Sequence, residues 1–195
     1  MRPSPKTLSK LKKDVYLNAF RLFSDACLLY ESNAYPSSFA LAILSLEELG
    51  KLEMIDHICD DIILNPDHDP QDFLSFLFSR SMFFSHKNKQ AWASLDAASK
   101  KTHKKRIKEI SDGHLEKTKQ KAFYVGYKNR INNPNKITSK QALKEIKIVH
   151  NKFIDLKDLG FNGFYCEETE ESIEEAKKYL LQVKNKFKKI KSVAK

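Results

Sequence analysis

Apolar residues recur at steps of three and four over much of the chain, which is the spacing of one helix face. The first such stretch covers residues 6–32, and its stripe consists of Leu8, Leu11, Val15, Ala19, Leu22, Ala26 and Leu29. A second helix is predicted from Pro36 to about Ile63, and its residues 39–44 are apolar on every side. A helix without a polar face is expected at the centre of a bundle.

The rest of the chain continues the helical pattern with a few breaks. A third helix is predicted over residues 69–98, with a kink near Ser85. Residues 100–128 are basic and helical in pattern, with a break expected at Gly113. Thr138 opens a helix through a capping box with Gln141, and a last amphipathic stretch spans residues 173–190.

These patterns predict an all-α protein. Glycine and proline are scarce, at 5 and 6 residues, so many short strands joined by tight turns are not expected. We expect one domain over residues 1–195, with a helical core at about 6–130 and a C-terminal helical extension at about 137–195. No apolar run reaches the roughly 20 residues that span a bilayer, and no apolar segment typical of a secretory signal begins the sequence. A cytoplasmic protein without membrane contact is therefore expected.

The net charge of +10 is concentrated in two places. Residues 100–130 carry eleven Lys or Arg against three acids, and residues 176–195 carry eight Lys and no acid. Such surfaces attract polyanions, which makes Lys104, Lys105 and Arg106 candidate contacts to RNA. The charge is equally compatible with lysines on helix faces that are simply exposed to solvent and bind no partner.

Arg80 and His86 supply two groups that RNA cleavage needs. A histidine can accept the proton of a 2′-hydroxyl near neutral pH, and an arginine can stabilise the charge that develops on phosphorus. The 2′-hydroxyl is the nucleophile, so this chemistry requires no metal or other cofactor. Six residues separate the two side chains by about 120° on an ideal helix, so they converge only through a kink, through long side chains or across a twofold axis. Lys87 and Lys89 follow closely and are candidate supporting residues.

A polar group interrupts the most apolar helix. Glu47 and Lys51 have the spacing of an intrahelical ion pair, and a carboxylate buried here would need a partner such as an Arg or His from the third helix. Gly50 lowers helix stability, and it suits a site where another helix approaches closely. A structural polar pair beside a tight helix crossing is the alternative to a direct role in chemistry.

Other chemistry finds little support in the sequence. The acidic and His-containing stretch of residues 56–69 could offer ligands to a divalent cation, but several of its acids are explained as turn and cap residues. Cys27, Cys59 and Cys166 lie far apart, without the CxxC spacing of a zinc ribbon. The sequence also has no phosphate-binding glycine loop, nucleophile elbow or HExxH motif. We therefore expect no metal site and no cofactor.

Three segments together resemble the AbiV family of HEPN proteins. They are residues 38–51 (SFALAILSLEELGK), 84–89 (FSHKNK) and 119–127 (KQKAFYVGY), in this order and at matching spacing. The resemblance implies a HEPN-type helical bundle with additional C-terminal helices, and a role in phage defence by abortive infection with translation shut down.

The same resemblance implies how such a protein works. HEPN ribonucleases are homodimers in which Arg and His motifs of both protomers face a shared cleft, and Arg80 and His86 occupy those positions. Ser81 stands where the family often has Asn, Asp or His. AbiV-like proteins are held inactive until a phage-encoded activator protein engages them. A metal-independent endoribonuclease is the leading hypothesis, and a non-catalytic module that binds RNA, the ribosome or a phage protein is the alternative.

Overall fold

The computed structural model describes residues 5–64, 85–94, 100–124, 126–127, 131–158 and 170–193. Seven α-helices lie in these residues: α1 (Pro5–Glu31), α2 (Tyr35–Leu64), α3 (His86–Trp92), α4 (Lys100–Ser111), α5 (His114–Phe123), α6 (Ser139–Asp158) and α7 (Glu170–Val193). A two-residue antiparallel pair, β1 (Gly126–Tyr127) with β2 (Ile131–Asn132), and one 3-10 turn at Pro134–Lys136 complete the elements. The predicted all-α class is confirmed. Within this part of the chain, no helix combines the length and apolar character that a membrane crossing requires.

The first two helices form an antiparallel hairpin, and their bounds lie within one residue of those predicted. Asn33 provides the turn with a left-handed backbone (φ 62°), which asparagine adopts more readily than most residues. The helices pack closely because small residues face each other. The hydroxyls of Ser38 and Ser45 donate to the carbonyl oxygens of Ala26 and Ala19 at 2.8 and 2.7 Å, so the buried serines are satisfied without water.

Helix α2 is the central element of the bundle. It contacts α1, α3, α5 and α6, and its apolar side chains at Ile43, Leu46, Leu49 and Leu52 are fully buried. An apolar surface on every side predicted this position, and the prediction is confirmed.

Three acids along α2 each receive a lysine from a different helix. Glu47 pairs with Lys119 of α5 at 2.8 Å, Asp56 pairs with Lys12 of α1 at 2.5 Å, and Glu53 pairs with Lys152 of α6. Glu47, Glu53 and the three lysines are all buried. A buried charge is costly unless it is paired and hydrogen-bonded, so these pairs fix the rotation of α2 relative to its neighbours.

Helix α3 is short and lies against the glycine of α2. Ser85 caps it with an extended backbone, accepting a hydrogen bond from the Asn88 amide. Residues 69–84 of the predicted third helix lie outside the described residues, so the kink predicted near Ser85 stays a prediction. The helix ends at Trp92, six residues before the predicted end. A Cβ on Gly50 would clash with the carbonyl oxygen of Lys89. The expectation that Gly50 permits a close helix approach is therefore confirmed.

Helix α7 packs on α1 and α6. Its buried stripe consists of Leu180, Val183, Phe187 and Ile190. His150 of α6 stacks on Phe187 with ring centroids 4.1 Å apart, and the Lys191 ammonium lies 4.8 Å from the same phenylalanine ring. The opposite face of α7 carries exposed lysines.

Candidate functional site

The carboxylate of Glu47 lies at the centre of the candidate site. Its side chain is only 3% exposed, because α2 is covered here by α3 and α5. Three groups donate to it: the imidazole of His86 at 2.6 Å, the amide of Gln90 at 2.7 Å and the ammonium of Lys119 at 2.8 Å. Three charge-assisted or polar contacts satisfy a carboxylate that would otherwise be too costly to bury. We call Glu47, His86, Gln90, Glu116 and Lys119 the Glu47 cluster.

His86 has the geometry of an oriented base. Its Nδ1 lies 2.6 Å from Glu47 Oε2, so Nδ1 carries the proton that Glu47 accepts, and Nε2 of the neutral ring has a free lone pair. The Lys119 ammonium is also near Nδ1, at 3.3 Å, but the shorter contact to a carboxylate decides the tautomer. The side chain is 49% exposed, and no hydrogen bond to Nε2 is found among the described residues. The imidazole is therefore partly open to an incoming molecule.

Helices α3 and α5 position the remaining members. Gln90 is one turn after His86, so both side chains face α2, and its amide also donates to Glu116 at 3.2 Å. Lys119 and Glu116 are three residues apart on α5, with Nζ and Oε2 2.8 Å apart. Burial opposes the charge of Glu116, but hydrogen bonds from Gln120 and Lys119 outweigh burial and hold the pKa of that carboxyl below its usual value.

The cluster also contains three potential metal ligands. Glu47, His86 and Glu116 each offer a ligand atom, and these atoms lie within 4.8 Å of one another. The Lys119 ammonium is bonded to both carboxylates at 2.8 Å, however, and it already supplies the positive charge. A divalent cation would have to displace Lys119, so the donor set is better explained as a lysine site than as a metal site.

The structure revises the expected partner of Lys51. Lys51 pairs with Glu48 at 2.5 Å and not with Glu47, as its sequence spacing predicted. Glu47 points instead toward α3 and α5, where His86 is the partner expected from the third helix. Of the two partners expected for a buried carboxylate, an Arg or a His, the described residues supply the histidine.

The other candidates near His86 have separate environments. Arg80 and Ser81 lie outside the described residues. The ammonium of Lys87 donates to the Ser111 carbonyl at 3.3 Å, at the end of α4. Lys89 is buried against α2, and burial lowers the pKa of its ammonium although the charge of Glu47 acts in the opposite direction.

The predicted RNA contacts on α4 divide into two kinds. Lys104 and Lys105 are exposed. Arg106 is buried, 4% exposed, and its guanidinium pairs with Glu145 of α6 at 2.7 Å. The expectation that Arg106 belongs to the basic surface is therefore wrong, because the helix turns this side chain inward to a carboxylate.

Sequence reasoning did not single out Gln90, Glu116 or Lys119. The spacing of four between His86 and Gln90 is a signal that could have linked those two. Lys119 lies 72 residues from Glu47, and no local pattern joins residues so far apart.

The family model described as AbiV, a HEPN family, matches residues 7–154. The match includes every member of the Glu47 cluster and ends before α7. No curated protein and no solved structure matches the chain.

Proposed function

Because this chain belongs to the AbiV family of HEPN proteins, a family of abortive-infection phage defence, we propose that it is a latent, metal-independent endoribonuclease. The observation that carries the proposal is the contact between His86 and Glu47. A half-exposed imidazole whose inner nitrogen is held by a buried carboxylate is an arrangement suited to a general base. An imidazole with a purely structural role would not need to be half-exposed.

The reaction uses only the groups of the RNA and of the protein. Nε2 of His86 takes the proton of a 2′-hydroxyl, and the 2′-oxygen attacks the adjacent phosphorus. The bond from phosphorus to the 5′-oxygen then breaks, and this oxygen takes up a proton from an acid. The products are a 2′,3′-cyclic phosphate and a 5′-hydroxyl. Glu47 stabilises the imidazolium that forms, as the carboxylate of a catalytic triad does.

A homodimer supplies the groups that one protomer lacks. In HEPN ribonucleases two Arg and His motifs face one cleft, so a second His86, in its protonated form, can donate to the leaving oxygen. Arg80 is assigned the stabilisation of charge on phosphorus, because guanidinium binds phosphate through two hydrogen bonds. A phage-encoded protein that engages the dimer would release the activity.

The exposed lysines favour a second candidate, a binding module that blocks translation without cleavage. Lys104, Lys105 and the outer face of α7 form basic surfaces that can hold RNA or the ribosome through phosphate contacts. Both candidates share these contacts. They differ in whether His86 is needed.

The test compares His86→Ala with His114→Ala in cells challenged with phage. His114 is also exposed, at the start of α5, but it lies outside the Glu47 cluster and serves as the matched control. If the protein is a ribonuclease, His86→Ala should no longer protect the cells from phage and should cleave RNA roughly a hundredfold more slowly or worse. His114→Ala should protect the cells as the wild type does. Cleavage of RNA by the activated wild type should persist in EDTA and leave 2′,3′-cyclic phosphate or 3′-phosphate ends. A folded His86→Ala protein that still arrests translation, with cellular RNA intact, would establish the binding module instead.

A further inference from the structure

One lysine of α3 is buried without the partner that every other buried lysine has. The part of the chain that the structure describes contains four buried lysines, Lys12, Lys89, Lys119 and Lys152, and all but Lys89 are paired with a carboxylate of α2. Lys89 is 7% exposed, yet among the described residues its ammonium has neither a hydrogen bond nor an ion pair. A buried cation is costly unless it is paired, so stability does not explain this residue.

The carboxylates closest to Lys89 in effect are already occupied. Glu47 and Glu48 both attract its ammonium, but Glu47 is bonded to Lys119 at 2.8 Å and Glu48 to Lys51 at 2.5 Å. Burial lowers the pKa of the Lys89 ammonium, and the attraction of Glu47 does not make up for it. The charge of Lys89 is therefore left uncompensated by the neighbouring acids of α2.

The ammonium nitrogen of Lys89 is not enclosed by the protein. It does not occur among the described side-chain atoms that are both sealed from solvent and without a hydrogen bond. Since this nitrogen has no partner in the same residues, it must keep contact with solvent. An anion from solution can therefore reach it, although most of the aliphatic stem is covered.

The position of Lys89 suits a phosphate that is bound beside His86. Lys89 follows His86 by three residues on α3, so the two side chains are neighbours on the helix surface. The imidazole is half-exposed, and in the proposed reaction it takes the proton of a 2′-hydroxyl, which lies next to a phosphodiester. The charges of Lys51 and Lys119 also act on Lys89, so an anion at this position is attracted by more than one ammonium.

We propose that Lys89 is a phosphate-binding residue, whose missing anion is a phosphodiester of the RNA substrate. The bound phosphate supplies the charge that the acids of α2 do not, and it brings the adjacent ribose to His86. The identity of the ligand rests on the proposed ribonuclease. A residue that lowers stability in the free protein is then explained by what it binds.

The first measurement is the melting temperature of Lys89→Met without RNA. Methionine keeps a buried apolar stem and removes the charge, so we expect the melting temperature to rise by about 2–4 °C. Lys152→Met is the matched control, because Lys152 is also buried but is paired with Glu53. This variant should melt at a lower temperature than the wild type.

The second measurement is the binding of a short fluorescent oligouridylate in which every 2′-hydroxyl is methylated. We expect Lys89→Met to bind it about tenfold more weakly and to reduce the slope of log affinity against log salt by about 0.7. Lys152→Met, measured below its melting temperature, should bind as the wild type does. The methylated RNA cannot be cleaved, so a loss of affinity in Lys89→Met would support the phosphate site even if His86→Ala still protected cells and the ribonuclease proposal failed.

Three results would overturn the proposal. The first is a Lys89→Met protein that melts below the wild type or fails to fold, which would give Lys89 a structural partner. The second is a Lys89→Met protein that binds the methylated RNA with the affinity and salt dependence of the wild type. The third is a change of oligomeric state in light scattering, which would assign the ammonium to a carboxylate of a second copy.

Discussion

Gly50 allows the sharpest test of how the candidate site is held together. The backbone of α3 lies against this glycine, and a Cβ added there would be 2.9 Å from the carbonyl carbon of Lys89. The Cβ would clash more severely with the carbonyl oxygen of Lys89, and nonbonded carbon atoms prefer about 3.5–4.0 Å, so α3 must withdraw by at least about 1 Å in a Gly50→Ala variant. Because His86 begins the same short helix, its 2.6 Å contact with Glu47 would lengthen to about 3.6 Å or more, beyond the limit of a hydrogen bond.

The effect of this substitution on stability has two opposing parts. Alanine in place of a helical glycine stabilises by about 1 kcal/mol, whereas overpacking at a helix contact costs about 1–3 kcal/mol. The net result should be a loss of up to about 2 kcal/mol, which lowers the melting temperature by no more than roughly 8 °C. The variant therefore folds, and its loss of His86 geometry can be measured.

The assay combines calorimetry with the NMR signal of the His86 Nδ1 proton, which a short hydrogen bond to a carboxylate shifts downfield. Gly113→Ala is a control of similar cost, about 1–2 kcal/mol, because Gly113 has a φ of 67° and lies outside the Glu47 cluster. Gly50→Ala should lose the downfield signal, and Gly113→Ala should keep it. A Gly50→Ala protein that gains about 1 kcal/mol and keeps the signal would refute the reasoning.

Three further predictions concern the cluster, the terminal helix and the basic surface. Lys119→Met should lower the free energy of unfolding, measured in urea, by about 3 kcal/mol or more, because it removes a cation from the buried charge of Glu47. The double variant with Glu47→Gln should lose less stability than the sum of the two single variants. Burial lowers the pKa of His150, so as the pH falls this histidine takes up its proton in the unfolded chain before it does so in the folded one. His150 should therefore not affect stability above about pH 6.5 and should lower it below that pH. His150→Phe should flatten the melting temperature as a function of pH in this range, and an unchanged curve would contradict the role given to His150. Reversing the charges of Lys104 and Lys105 should weaken RNA binding and reduce the slope of log affinity against log salt by about 0.7 for each lost phosphate contact on a single strand, whereas an unchanged slope would leave both lysines as solvated side chains.

The long helices were predictable because periodicity is a local property. The stripe of α1 and the fully apolar start of α2 each define a helix without reference to the rest of the chain, and both were located within one residue. The end of the third helix was predicted six residues too late. The apolar pattern of the sequence gives no sign that the chain turns at Ala93 and Ser94.

The candidate site was predictable only in part, for two physical reasons. The need of a buried Glu47 for a partner follows from solvation alone, and the sequence indicated an Arg or a His of the third helix, of which His86 is the one in contact. The identity of Lys119 depends on how distant helices pack, which no local spacing encodes. Arg106 was wrongly predicted to contact RNA because residues 104–106 were treated as one basic surface. Successive residues of a helix are rotated by about 100°, so Arg106 lies on a different face from Lys104.

The lysine pairs along α2 have a consequence for how the protein folds. The buried carboxylates of Glu47 and Glu53 can lose their hydrating water only when α5 and α6 each bring a lysine against them, whereas Asp56 is 26% exposed and keeps part of its water beside Lys12. An intermediate that lacks α5 or α6 must keep a hydrated acid beside the most apolar segment of the chain, which opposes its collapse. Partly assembled bundles are therefore unfavourable, and we expect the core to form in a single cooperative transition in which α2 is dehydrated last.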